Sequence, residues 1–426
     1  MQSGQTKYGK GMTLSACLWL GLFPLLQGGT YSSITYFKWI CMFILTGITG
    51  ACFLADLWAG RTVRPKPLPL VVCGFLALWT LVSCLASPYE GAPWWIGALR
   101  REGLLTQLCY WALFALFTFS RVNRTPVVYA SGAGVIVFTA VALLQRAGGN
   151  PLGLYPEGYS YENTPLFQST IGHADMGTGY LLILCGLFLP VLIGELRKKE
   201  NGSWILAVSS AVFLGVCVFM IFTVDVQFGV LTLAVLVIWT LIRFLPKKLR
   251  LPALLLLLAL VLVLAWALPF GEDGALHELH EVLHGHLEAS YGSGRVGVWT
   301  YCVRLLQGGD RLLTGTGPDT FTRRFNTFLH QYYADHPDLP AEEKLIEYFD
   351  NPHNEYLAQL INCGIPAMLA FLFLVLGGCF GRVPWRDSVL CYGVQALLSF
   401  SVCIVAPMFW MVLGLAWSGP PEKTSH

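Results

Sequence analysis

The chain has 426 residues, 55% of them hydrophobic and only 12% charged, with a formal net charge of +2. Water-soluble domains carry about 25% charged residues, and a larger core does not remove the need for polar surface. The composition therefore excludes an ordinary soluble globule and points to a chain solvated by lipid.

The start, with Lys7 and Lys10 before the apolar run Leu14 to Leu26, resembles the basic and apolar regions of a signal peptide. It lacks a small-residue cleavage site and reads as an uncleaved first span. Apolar runs able to cross a hydrocarbon core of roughly 30 Å then recur near 14–29, 34–55, 68–86, 104–119, 127–145 and 175–194. They continue near 203–222, 226–242, 252–270, 354–380, 387–400 and 402–418. Pro407 interrupts the last pair, so the expectation is twelve spans, or eleven. The fold class expected is all-α: a polytopic membrane protein with spans one to nine in 1–270, a loop in 271–351 and spans ten to twelve in 352–426.

Basic residues give an independent orientation, because cytoplasmic loops hold the excess of Lys and Arg. Arg61, Arg64 and Lys66, then Arg121 and Arg124, then Arg197, Lys198 and Lys199 fall in alternate short loops. Arg243, Lys247, Lys248 and Arg250, then Arg382 and Arg386, then Lys423 continue the alternation. Both termini are expected in the cytoplasm. Segments 30–33, 87–103, 146–174 and 271–351 then face outward.

The last outer segment, with 81 residues, is far longer than a structureless loop in a compact protein. Leu276, Leu279, Leu283 and Leu287 repeat at helical spacing within it. Further helices are expected from Ser293 to about Leu306 and from Thr320 to about Tyr333. Most of the thirteen cysteines lie in apolar stretches and behave as small hydrophobes. The long segment holds only Cys302, so no disulfide can form within it. His277, His280, His284 and His286 match no standard metal spacing; a solvated amphipathic helix is the expectation there.

The sharpest local signal is Asp350-Asn351-Pro352-His353-Asn354-Glu355-Tyr356-Leu357, where the long segment enters a span. Asn351 suits a helix N-cap and Pro352 a first helical turn, which sets His353 near the positive end of a helix dipole. That position favours neutral imidazole: either a catalytic proton acceptor or a polar residue wetted by headgroups. In Ser293-Gly294-Arg295-Val296-Gly297-Val298-Trp299, Arg295 is positioned for bidentate anion binding or for snorkelling to headgroups. Arg304 points nearly opposite. Gly315-Thr316-Gly317-Pro318-Asp319 lacks a nucleotide-loop ending and reads as a tight turn with Asp319 capping the next helix. His173 and Asp175 sit at a membrane edge, where Asp175 is either an N-cap or, with His173, a sugar or phosphate ligand. Arg100, Arg101 and Glu102 open the fourth span from outside, and Asp225 and Gln227 fill a tight turn before the eighth.

Together and in this order, the stretches SGRVGVW, LLTGTGPDTF and NPHNEYLAQLINCGIP resemble the O-antigen ligase and polymerase superfamily. STIGHADMGTGYL and WWIGALRREGLLTQLCY are similar to its earlier blocks. The resemblance implies a bacterial glycosyltransferase of the inner membrane needing no metal or other cofactor. Its donor would be a glycan on undecaprenyl pyrophosphate and its acceptor a hydroxyl of a glycan, lipid or protein outside the membrane; no nucleic acid is involved. It further implies that His353 assists the acceptor and Arg295 holds pyrophosphate. Arg100, Arg101, His173, Asp175, Gln227, Arg304 and Asn354 are expected as substrate ligands. The family often has an arginine entering span eight. This chain has Gln227 there, leaving Arg100, Arg101 or Arg146 to replace it. Ligase, polymerase and protein O-oligosaccharyltransferase share this architecture. A transporter or lipid flippase, the competing class, predicts paired halves and midplane polar residues; the polar residues here cluster at the outer edge.

Overall fold

A computed structural model describes residues 8–98, 100–198, 201–268, 275–340, 343–345, 349–380 and 385–419. Lys7, Lys199, Arg382 and Lys423, used above for orientation, lie outside the described residues, as does the start of the long segment at 271–274.

Among the described residues, regular secondary structure is helical apart from one isolated bridge, Thr62 to Ser120. In order come α1 (Lys10–Leu25), α2 (Ile34–Trp58), α3 (Pro67–Leu85), α4 (Leu104–Thr118) and α5 (Arg124–Arg146). Then follow α6 (Ala174–Arg197), α7 (Trp204–Val224), α8 (Gln227–Ile242), α9 (Lys247–Ala267) and α10 (Ala275–Leu283). The last are α11 (Arg295–Gln307), α12 (Phe321–Asp335), α13 (Glu355–Phe380), α14 (Arg386–Gln395) and α15 (Ala406–Trp417). Seven of these, α2, α3, α5, α6, α7, α9 and α13, are long and apolar enough to cross a membrane; α1, α4, α8 and α15 are shorter apolar helices. The chain is an integral membrane protein.

The expected last two spans depart most from the structure. In place of a continuous helix over 387–400, α14 stops at Gln395 and turns occupy 396–405. Asp387, Ser388 and Gln395 are buried, so this short helix is packed in protein rather than presented to lipid. The first span also starts earlier than expected and changes from α to a π turn at Leu18–Leu22 and a 3-10 turn at Phe23–Leu25, beside Pro24. The carbonyls that this break frees are met from α2: Lys38, fully buried, donates to Phe23 O (3.2 Å) and Pro24 O (2.9 Å). A buried ammonium is tolerable only with such partners.

Helix α6 runs through the centre, and α9 lies outermost, with Ala265 alone buried among its residues. Gly186 lets α14 approach α6 directly, since a Cβ there would lie 2.3 Å from Ser388 N. Between α9 and α13, α11 and α12 build a second small core from Val298, Tyr301, Cys302, Phe321, Phe325 and Phe349, closed by Ile361 of α13.

Helix α13 is broken at Gly364 (φ +82°, ψ 175°), where the chain of the long segment is spliced onto it. Thr316 and Gly317 N–H donate to Asn362 O (2.9 and 2.8 Å), and Ile365 N–H donates to Leu312 O (2.9 Å). These bonds satisfy backbone groups that the break leaves without helical partners. Only glycine fits, because a Cβ on Gly364 would sit 1.8 Å from Leu313 O.

Candidate functional site

The turn before α13 is built differently from its expected form. Asn351 Oδ1 accepts the N–H of His353 (2.9 Å), and His353 itself adopts a left-handed conformation (φ +48°). The helix cap is Asn354, whose Oδ1 accepts Leu357 N–H (3.0 Å). Asn351 is therefore a turn former, and the expected substrate ligand Asn354 has its oxygen committed to the helix end.

The His353 ring stands edge-on to Phe400 (centroids 5.0 Å apart) and to Phe349 (6.0 Å). Its Nδ1 is buried with no hydrogen-bond partner among the described residues. Burial, aided by the positive charges of Arg295 and Arg100, pushes its pKa down to about 4, against an opposing pull from Asp350. The imidazole is neutral at physiological pH.

Phe400 gathers the rest. Arg100 stacks on its ring at 4.1 Å while donating from Nε to Asp350 Oδ2 at 2.6 Å. His173 lies edge-on at 6.3 Å and caps α6 through Nδ1, which accepts Asp175 N–H (3.2 Å). The capping side chain is thus that of His173, in place of the expected Asp175, and burial lowers the His173 pKa. Asp175 Oδ2 instead faces Arg295 Nη2 at 4.0 Å. Arg295 is anchored through Nε to Leu398 O (3.1 Å) and Nη1 to Gly292 O (2.8 Å), with Phe228 6.0 Å below it. Burial lowers its pKa and Asp175 opposes that.

Three expected ligands stand apart. Arg101 stacks on Tyr36 (4.5 Å) and Trp39 (5.2 Å) of α2. Arg304 donates to Tyr332 Oη (2.6 Å) and stacks on Tyr301, inside the aromatic packing of α11 and α12. Gln227 is exposed at the start of α8, and it is the adjacent Phe228 that meets Arg295. Of the three arginines that could replace the one missing near Gln227, Arg100 reaches the Phe400 cluster; Arg146 is held by Tyr161 (2.8 Å). The histidines of the long segment also stay local, with His286 on Glu281 at 2.6 Å. No group of three or more metal-ligating side chains is placed to hold an ion among the described residues.

Below Arg100 and Asp350 lies a cavity of about 60 Å³, lined also by Glu102, Asp319, Asn351, Glu355, Asn362 and Phe400. That volume holds several waters. Glu102 accepts the hydroxyl of Tyr110 (2.9 Å), and burial raises its pKa well above the carboxylate range. Asp319 Oδ2 accepts Ala98 N–H (2.6 Å) and Glu102 N–H (3.2 Å), so it joins the segment before α4 rather than capping α12. Burial pushes Asp319 up to about 6, with Asp350 adding to the rise and the two amides resisting it. Glu355 Oε2 is buried without a partner among the described residues. The sequence reading gave Asp350, Glu355 and Phe400 no role. Glu355 carried a usable signal, an ionisable side chain at the mouth of an apolar span.

Residues 211–372 match the family model described as O-Antigen ligase. The match covers 162 of the 426 residues, and this part of the chain is similar to the O-antigen ligase family. The matched stretch runs from α7 into α13 and contains Arg295, His353 and the Gly364 splice; Arg100, His173, Asp175 and Phe400 lie outside it. No curated protein matches the chain. That similarity supports a role in glycan assembly by transfer of a glycosyl group, with a lipid-linked glycan and an acceptor as the substrates it implies.

Proposed function

We propose that this chain transfers a glycan from undecaprenyl pyrophosphate to an acceptor hydroxyl on the outer face of the cytoplasmic membrane, in the manner of an O-antigen ligase, with both termini inside. The observation that carries the reading is the convergence of Arg100 and His353 on Phe400, with Arg295 anchored on nearby Leu398, beside a cavity rimmed by buried carboxylates.

The terminal nitrogens of Arg100 have no protein acceptor among the described residues, and Arg295 offers Nη2 at only long range to Asp175. Those N–H groups suit the oxygens of a pyrophosphate. As the acceptor oxygen bonds to the anomeric carbon, the bond to lipid pyrophosphate breaks and the leaving group takes the electron pair. The two guanidinium groups neutralise its growing charge, so the reading calls on no metal ion. His353, neutral and depressed in pKa, orients the hydroxyl by accepting its hydrogen bond. The proton then passes through cavity water to a buried carboxylate, for which Glu355, lining the cavity with an Oε2 that accepts no hydrogen bond among the described residues, is suited. His173, by capping α6, holds Asp175 and so the Arg295 side chain in place.

The test is reconstitution with an undecaprenyl-pyrophosphate oligosaccharide and separate lipid, glycan and protein acceptors. Arg100→Ala, Arg295→Ala and His353→Ala are expected to abolish transfer while the protein still inserts, and Glu355→Gln to lower it about 100-fold. Unchanged yield from a variant removes that residue from the mechanism. Wild-type protein inert towards every acceptor overturns the reading, and the acceptor used separates ligase from polymerase and from protein glycosylation.

A further inference from the structure

Helix α6 carries His173 and Asp175 at its start and Arg197 at its end. Its 24 residues span about 36 Å at 1.5 Å per residue, so Arg197 marks the opposite end of the bundle. There a pocket of about 220 Å³ is lined by Arg197, Arg243, Arg250 and Arg386, together with Thr240 and Phe244. The four arginines come from four elements: the ends of α6 and α8, the first turn of α9 and the start of α14.

The lining of this pocket holds four guanidinium groups and, among the described residues, no carboxylate. Asp387, almost fully buried, lies just behind, 2.5 Å from Arg243 Nη1 and 3.6 Å from Arg386 Nε. Arg250 is fixed by neutral carbonyls, Nη2 to Arg243 O (2.8 Å) and Nε to Leu245 O (3.1 Å). Arg197 stacks on Phe244 at 4.5 Å. Glu195, the other carboxylate at this end of α6, is taken by Lys198 (2.5 Å) and Ser203 N–H (3.0 Å). Burial together with Arg243 and Arg250 lowers the Arg386 pKa, as crowding of like charges must. An anion bound here relieves that repulsion.

The rim identifies the kind of anion. Leu241, Phe244, Leu249 and Leu251 are exposed beside the pocket, and the apolar surface of α9 continues from it with Leu255 and Leu258. A soluble phosphate has no use for such a rim. A phosphate carrying acyl chains does, and basic pockets between helices at a membrane face bind such headgroups.

We propose that the Arg197–Arg243–Arg250–Arg386 pocket binds the phosphate of an anionic phospholipid, with its acyl chains along the exposed side of α8 and α9. The bound lipid ties the outermost helix, α9, to the central α6 and to α14. This site is independent of the chemistry proposed at the other end of the bundle.

The experiment uses the full chain in bilayer discs of phosphatidylcholine alone or phosphatidylcholine mixed with cardiolipin, with thermal unfolding and native mass spectrometry as readouts. Cardiolipin is expected to raise the unfolding midpoint by several degrees and to survive detergent exchange bound to the protein. Arg197→Gln, which leaves the Arg243–Asp387 pair intact, is expected to weaken retention about tenfold, and Arg197→Lys to keep most of it. Inorganic phosphate added to the phosphatidylcholine discs is expected to have no effect. Equal cardiolipin retention by wild type and Arg197→Gln overturns the proposal. So does equal stabilisation by inorganic phosphate, which would make this a soluble-anion site.

Discussion

Arg100 and Asp350 are separated by 250 residues and meet at 2.6 Å, one from the approach to α4 and the other from the turn before α13. The pair orients Arg100 against Phe400, beside His353. Both side chains are partly exposed, at 30% and 21%, so the ion pair itself contributes little to stability, about 1 kcal/mol or less. Asp350→Asn is therefore expected to shift the unfolding midpoint slightly yet reduce glycan transfer by at least about tenfold, through loss of Arg100 alignment. Parallel measurement of unfolding and initial rate checks this; equal small effects on both would assign Asp350 no part in the site.

The His353 pKa of about 4 lies below its ordinary 6.5. Between those values the unfolded chain binds the proton more tightly than the folded one. The contribution to stability is thus fully present above 6.5 and is lost as pH falls through 4. Transfer is expected to show no inflection near pH 6.5 from this residue. A pH–rate profile of wild type and His353→Gln, together with titration of the imidazole by NMR, decides the point. An imidazole titrating at 6.5 contradicts the buried setting described.

Asp319 moves the other way. Its pKa is pushed from 3.8 up to about 6, so between these values the folded chain holds the proton more tightly and stability falls as pH rises. Asp319→Asn keeps an acceptor for the Ala98 and Glu102 amides and removes the titration. It is expected to flatten the pH dependence of unfolding over that window by roughly 3 kcal/mol, and to leave the protein more stable than wild type at neutral pH. A variant with the wild-type slope would exclude Asp319 as its source.

Gly364→Ala tests the splice on α13. The added methyl group meets Leu313 O at 1.8 Å and the backbone is left-handed there. The expected loss exceeds about 4 kcal/mol, read as failure to accumulate in membranes or collapse of the unfolding midpoint. Gly74→Ala, where nothing lies within 4 Å of the new Cβ, is the control expected to change neither.

Hydropathy made most long helices legible, because lipid demands uninterrupted apolar stretches. Amphipathic spacing likewise located α10, and α11 and α12 begin within two residues of their expected starts. The stretch around Phe400 was hidden for the same reason: Leu397 and Phe400 read as the end of one apolar span and Val402 as the start of the next, although Ser399 and Ser401, whose hydroxyls are buried, interrupt a lipid-facing pattern. The Asn351 cap assignment missed by three residues because the left-handed turn at His353 has no signature in residue type. Asp319 was read as a local cap, whereas its partners lie more than 200 residues earlier, at Ala98 and Glu102. Nonlocal pairings of this kind have no periodicity to betray them. Arg304 and Arg101 were chosen for their charge, and neighbouring aromatic rings claim both.

The Leu312–Ile365 and Thr316–Asn362 hydrogen bonds bring the exit and the return of one excursion of chain side by side. The described residues between, α12 and the turn bearing Asp350 and His353 included, form a cassette that leaves and rejoins the helices at this clasp on α13 and is tied down again by Asp319 to Ala98 and Glu102 and by Asp350 to Arg100. Chimaeras cut at that clasp exchange the cassette whole and preserve its anchorage. Their choice of hydroxyl substrate then reports whether selectivity travels with the cassette or stays with the helices that hold Arg100 and Phe400.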